Sequence, residues 1–339
     1  MELLRNLLIR KNGGIFEKLY FTTQSHLRLE DFEKASDVLP KTIFNNISIQ
    51  EKPEHRGTIG TIFIGFYKNI KVSIKIVFDV TKNNVKNDLN VIQSVGNMIS
   101  KLFPHVSGMT NEICNKLSNE TNIEREKEMC KIIRQKLSNN CPKGIKFLLP
   151  IPEFINEEGV FIYKYVDGIT LHNIVKTHSK NVTDDIGSRI ALCFFKAIYE
   201  SKIIFGDMNP GNFIYTPSED TVTFIDYGCV FEIDNNQRNQ IIELHKAQKS
   251  RETLRAYLKK WNAPDILSDT IYEKSRIFYD KNPIANNTKF IDILQYTNIT
   301  NCKLPPELIL TIRATYQLID LENYLDSTCV ISSYFNLLR

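Results

Sequence analysis

Three residues of this sequence have the types and the spacing to handle a phosphate group. Asp207 and Asn212 stand five positions apart in GDMNPGN, and Asp226 follows fourteen positions later in FIDYG. Phosphoryl transfer needs a carboxylate to orient or deprotonate the acceptor. It also needs oxygen ligands that hold Mg²⁺ against nucleotide phosphates. A D-x-x-x-x-N loop supplies the first carboxylate and one amide oxygen, and the Asp of a D-[FY]-G turn after a strand supplies a second metal ligand. Pro210-Gly211 stiffens and tightens the loop so that both its ends can face one site. Turns of Asp, Asn, Pro and Gly are common between buried strands, so neither half argues for chemistry alone. Together, at this spacing and each after an apolar run, they do. Asp207 is assigned to the acceptor or an attacking water, and Asn212 and Asp226 to the metal.

This chemistry requires partners upstream. Lys75 lies in KVSIKIV, a strand pattern in which Val72, Ile74 and Ile76 alternate with Ser73, Lys75 and Val77. That is where a phosphate-binding lysine belongs, although a strand lysine often only solvates a face. Gly57, Thr58, Ile59 and Gly60 precede it by a hairpin's length and offer backbone N–H groups to phosphates. The G-x-x-G lacks the full glycine-rich pattern. An acid on the following helix should pair with Lys75. Glu120 in LSNETNIEREKE is the choice, with Glu112 and Glu124 competing, since charge runs usually just solvate a helix.

The elements that must carry these residues are legible in outline. GTIGTIFIGFY and NIKVSIKIVFDV are β-branched runs that flank Lys68-Asn69 and predict a hairpin. A polar, helix-compatible stretch runs from Asn87 to about Ser138, and Pro142–Gly144 breaks it. Phe147–Pro150 and Val160–Val166 are strand candidates, and 184–202 fits a largely buried helix. IIFGDMNPGNFIY, a turn at Thr216–Asp220 and VTFIDYG follow. From Asp234 the chain reads as helices, with Asp234 and Gln237 placed as a helix cap. The expected fold is α+β and two-lobed, resembling a protein kinase. It has a helical extension over 1–50, a small β-rich lobe with a helix over 51–166, and a larger α-rich lobe over 167–339.

Composition sets the outer bounds. With 42% hydrophobic and 24% charged residues in 339, the chain is neither disordered nor collagenous. A net charge of +4, from 43 basic and 39 acidic residues, is too balanced for nucleic acid to be the main partner. The seven scattered cysteines form no C-x-x-C pair, which predicts reduced thiols in a reducing, cytoplasmic compartment. Neither a metal-spaced histidine motif nor an apolar run long enough for a transmembrane helix is present. The first residues, MELLRNLLIRKNGG, make a poor signal peptide.

These motifs together resemble the ABC1/UbiB (ADCK, coenzyme Q8-type) family of atypical kinases. GDMNPGNF is similar to its H-A-D-x-H-P-G-N loop, and FIDYGCVFEIDNNQRNQIIELHKA to its I-D-F-G-x-V-x-x-L…Q-R segment. VFIYKYVDGITL resembles the family's hinge, and NETNIER its helix carrying E-A-x-N. The resemblance covers about residues 28–270. It implies ATP and Mg²⁺ as cofactors and carries nucleotide- and metal-binding roles onto Lys75, Glu120, Asp207, Asn212, Asp226 and the Thr58–Gly60 loop. It also implies a role in isoprenoid-quinone or other lipid metabolism, with mitochondrial or membrane-peripheral placement and peripheral membrane contact.

Departures are equally plain. ASDVLP resembles the end of the family's K-x-G-Q…D-L-L-P stretch, but Leu27–Glu30 occupy the place of K-x-G-Q itself. RGTIGTI replaces an alanine-rich A-A-S-I-G-Q-V, and Lys164 replaces the hinge Glu. Gly206, not Arg, precedes Asp207, and only Cys229–Ile233 separate Gly228 from the cap at Asp234. With no A-P-E segment there is little platform for a peptide. The expected partners are therefore a nucleotide and a small-molecule or lipid acceptor. An aminoglycoside- or choline-kinase-like phosphotransferase is one rival, with acceptor specificity in 240–339. A nucleotide-binding pseudokinase scaffold is the other; it would be marked by loss of a metal ligand or the lysine, and neither is lost.

Overall fold

The computed structural model describes residues 34–37, 39–56, 61–77, 93, 118, 122–138, 140–276, 302 and 304–327. In chain order the strands are β1 (Ser48–Ile49), β2 (His55–Arg56), β3 (Thr61–Tyr67), β4 (Ile70–Ile76), β5 (Ile145–Phe147), β6 (Val160–Lys164) and β7 (Ile169–Thr170). They continue with β8 (Ile203–Phe205), β9 (Phe213–Thr216), β10 (Thr221–Phe224) and β11 (Val230–Glu232). The longer helices are α1 (Ile123–Leu137), α2 (Lys180–Ser201), α3 (Asn235–Ala247), α4 (Arg251–Leu258), α5 (Asp265–Ser275) and α6 (Pro306–Tyr324). The fold is mixed α+β, with β-rich N-terminal sheets and a helical C-terminal part. It divides into two compact units, one of Met1–Met98, Thr110–Glu124 and Pro150–Tyr165, the other of Ile99–Met109, Arg125–Leu149 and Val166–Arg339.

The first unit is built on a five-stranded sheet in the order β1-β3-β4-β6, with β2 also on β3. The expected hairpin at Lys68-Asn69 forms. Both residues take left-handed backbone angles, φ 47° and 66°, which match the twist of a two-residue turn, and Tyr67 pairs with Ile70. One face of the sheet buries Phe63, Val72, Ile74, Ile76, Val160 and Ile162. Ala35, Leu39, Ile43 and Ile47 join this core, so the described end of the 1–50 segment helps to build the unit. Gly65 is required where the edge crosses: a Cβ there would lie 2.6 Å from Ile47 Cγ2.

In the second unit, β5-β10-β9-β7 form one sheet and β11-β8 a two-stranded ribbon. β10 runs parallel to β5 and antiparallel to β9. The strand expected over Phe147–Pro150 begins earlier, at Ile145, and Pro150, which has no N–H to give a ladder, makes only a bridge to Tyr163. Helix α2 starts at Lys180, four residues ahead of Asp184, and buries Ile186, Ile190, Phe194 and Ile198 along one stripe. Asp234 caps α3 through a reciprocal box with Gln237, as its sequence predicts.

Candidate active site

Aromatic packing sets the three acidic and amide residues where they are. Phe205, Phe213 and Phe224 are buried and pack as a cluster, with ring centroids 4.9 Å apart for Phe205–Phe224 and 4.6 Å for Phe213–Phe224. Phe147 closes the group at 5.6 Å from Phe224. Each of the three buried rings stands next to, or one residue from, a candidate residue: Phe205 before Asp207, Phe213 after Asn212, Phe224 before Asp226. Burying the rings therefore brings three strand ends to one place.

The hairpin register completes the arrangement. Phe213 pairs with Phe224, and the next rung is the Ile225 N–H donating to the Asn212 carbonyl at 3.0 Å. Asn212 and Asp226 thus leave the same end of the β9–β10 hairpin. Within the loop, Asn209 Oδ1 accepts from the Gly211 N–H at 2.9 Å, and Asn212 Nδ2 donates to the Asp207 carbonyl at 3.3 Å. Having spent its amide nitrogen on the loop, Asn212 has its side-chain oxygen to offer a cation. Asp226 Oδ1 accepts from the Gly228 N–H at 2.8 Å, which fixes the turn. An amide oxygen with a carboxylate is a hard-oxygen set that suits Mg²⁺, which takes one or two protein ligands and completes its shell with phosphates and water. Among the described residues no group of three His, Cys, Asp or Glu side chains forms an all-protein metal cage. The donor set fits a nucleotide-borne ion.

Tyr227, fully buried, bridges two strands: its hydroxyl donates to the Phe224 carbonyl and accepts from the Leu148 N–H, both at 2.8 Å. After the turn the chain is fastened at once. Val230 pairs with Phe205 on β8, and the Gly206 N–H donates to the Cys229 carbonyl at 2.7 Å. Arg125 of α1 donates to the carbonyls of Gly228 at 2.7 Å and Val230 at 2.6 Å, with its guanidinium over Phe231. An arginine has no room at position 206, before Asp207. A Cβ there would meet Cys229 Sγ at 2.8 Å and Leu310 Cδ1 at 3.0 Å.

A model of the ABC1 atypical kinase-like domain matches residues 28–257 of this chain. The chain belongs to that family. A Clostridium pasteurianum protein named for its place in the hydrogenase 1 5′ region is 22% identical over 301 residues, which are 84% of this chain and 55% of that protein. The chain thus spans about half the length of this relative. Among solved structures, the Rv3197–erythromycin complex from Mycobacterium tuberculosis aligns with a TM-score of 0.65 and 17% identity over 95% of this chain and 87% of that one. This is a likeness of fold. A granulovirus kinase, PK-1 of Cydia pomonella, aligns over 57% of this chain at a TM-score of 0.35, too slight to argue from.

The other residues singled out in this ABC1-type sequence fall in different places. Lys75 is half-buried on β4 of the first unit, opposite Ile62 on one side and Phe161 on the other. Gly57, Thr58, Ile59, Gly60, Glu112 and Glu120 lie outside the described residues. Glu124 is exposed and its Oε1 accepts from the Gly159 N–H at 3.0 Å. The buried acid of α1 is Glu126, 2% exposed. Its signal was present in the sequence: Ile123, Glu126, Cys130, Ile133 and Leu137 recur at helical intervals on one stripe, and a carboxylate there is buried and must be compensated. Burial also pushes the Cys130 thiol up to about 12, so it is a core residue and not a nucleophile.

Proposed function

We propose that this chain is an atypical kinase or ATPase that binds Mg-ATP and acts on a small-molecule or lipid-linked acceptor rather than on peptides. The observation that carries this reading is the shared end of the β9–β10 hairpin, where Asn212 and Asp226 flank one strand pair and Asp207 sits on the same loop. Asn212 and Asp226 are the residues to hold Mg²⁺, which when bound neutralises charge developing on the transferred phosphoryl group. Asp207 orients the acceptor hydroxyl, or a water, and takes its proton. Lys75 is assigned to the nucleotide phosphates, and Glu126 joins Glu120 as a candidate acid of the binding machinery. The stapling of Val230–Glu232 onto β8 leaves no length of chain for a peptide shelf, which favours a compact acceptor.

A thermal-shift series with ATP and ADP, with and without Mg²⁺, tests the binding step. A ligand at about 100 times its Kd stabilises the folded state by about 2.7 kcal/mol. A flat response over millimolar nucleotide would overturn the reading. A peptide library with labelled ATP tests the acceptor class, and labelling of a defined motif that depends on Asp207 would restore a protein substrate.

A further inference from the structure

We propose that Gln317 is a positioning residue of the active site, the donor that aims the Asp207 carboxylate. The proposal rests on the role given above to Asp207. Gln317 Nε2 donates to Asp207 Oδ1 at 3.1 Å, and Gln317 Oε1 accepts from the Met208 N–H at 3.2 Å. The two bonds fix the amide's orientation, because a backbone N–H requires the oxygen and not the nitrogen at that end. One side chain therefore sets a carboxylate and the backbone of the next residue together. The terminal torsion of an aspartate is broad, so an acid that must present one oxygen to an acceptor needs a fixed donor on the other.

Gln317 is part of a longer device. Leu310, Gln317 and Tyr324 stand seven residues apart on α6, two turns each, and so share one stripe about 21 Å long. Leu310 abuts Gly206, where a Cβ would be 3.0 Å from it. Gln317 holds Asp207 and Met208. The Tyr324 hydroxyl donates to the His172 carbonyl, the two rings meet edge to face at 6.2 Å, and His172 Nε2 lies 3.3 Å from where a Cβ on Gly211 would be. The stripe follows the loop from Gly206 to Gly211. It belongs to a helix beyond residue 257, where the family match ends, so family likeness alone does not assign it.

Two variants separate aiming from support. Gln317→Met keeps the length of the side chain and loses both bonds. Gln317→Glu keeps an acceptor for the Met208 N–H but loses the donor to Asp207. The readouts are ATP turnover with Asp207→Ala as background, KM for Mg-ATP, and hydrogen exchange at the Met208 amide. Both variants are expected to lower kcat about 10- to 100-fold with KM unchanged, as loss of a hydrogen bond to a charged group implies. Only Gln317→Met should speed exchange at Met208. Gln317→Glu with the parent kcat would overturn the proposal. If the parent chain has no Asp207-dependent turnover, the functional reading fails by itself and exchange decides this one. Faster exchange in Gln317→Met supports the contact, and unchanged exchange overturns it.

Discussion

The sheet of the first unit holds Lys75 through its backbone ladder, with Ile62 and Phe161 as neighbours on either side. The loop of the second unit holds Asp207 and Asp226 through side chains sent from far away in sequence: Gln317 from α6, Arg125 from α1, and the Tyr227 hydroxyl reaching back to Leu148. A ladder bond runs between main-chain atoms, so it survives most changes of side chain. A loop fixed by individual side chains has no such tolerance. Lys75 is thus held by strand register, whereas the loop of Asp207 and the turn of Asp226 add point contacts to the register of β9–β10 and β8–β11, and those contacts concentrate sensitivity on a few residues.

The contrast is broken most severely at the chemistry itself. Asp226→Ala is expected to abolish the Mg²⁺-dependent thermal shift, whereas Asp207→Ala keeps the shift and loses turnover by about 10²-fold or more, as removal of a general base does. Retained turnover in Asp207→Ala with a verified acceptor would reverse the assignment of roles. Next in size is Arg125→Met, which leaves the Gly228 and Val230 carbonyls without their charged donor. Chemical denaturation should show a loss of about 2–4 kcal/mol, with a weakened nucleotide response.

Acid sharpens the comparison between the units. His245 of the second unit is buried against Phe195 and shares a hydrogen bond between Nδ1 and the Tyr199 hydroxyl, and burial pushes its imidazole from 6.5 down to about 3. The unfolded chain binds this proton more readily than the folded one. Stability is therefore complete above about pH 6.5 and is lost as the pH falls towards about 3, by about 2 kcal/mol at about pH 5. The melting temperature should fall between about pH 7 and 5 in this way for the parent and change less for His245→Gln, which can still hydrogen-bond Tyr199.

The smallest effect comes from a matched pair. Tyr227→Phe leaves the Leu148 N–H unsatisfied and should cost about 1–2 kcal/mol, while Ile62→Val beside Lys75 should cost about 0.5–1 kcal/mol and leave nucleotide response unchanged. Equal nucleotide effects from the two would erase the distinction between ladder and loop.

The distinction also explains what could be read in advance. That Asp207, Asn212 and Asp226 come together was legible because a short loop and a hairpin join them through local spacing. The Lys68-Asn69 hairpin and the Asp234–Gln237 box were legible for the same reason. Gln317 was not, since nothing in a helical segment 110 residues away signals a bond to Asp207. Arg125 lies in a charge run that reads as a solvated face, and the carbonyls it holds are 103 and 105 residues downstream. The start of β5 was missed because its partner, β10, lies far downstream in the sequence.

The clasp of Arg125 on the turn has a pharmacological consequence. Inverting Asp226-Tyr227-Gly228 would break both guanidinium bonds, unpair β11 from β8 and pull a fully buried tyrosine from its two partners. Each bond to the charged group represents about 1.5–3 kcal/mol. On the function proposed above, inhibitors that rely on an inverted turn would have to break these contacts first, and compounds that compete with the nucleotide in the turn's resting shape are favoured.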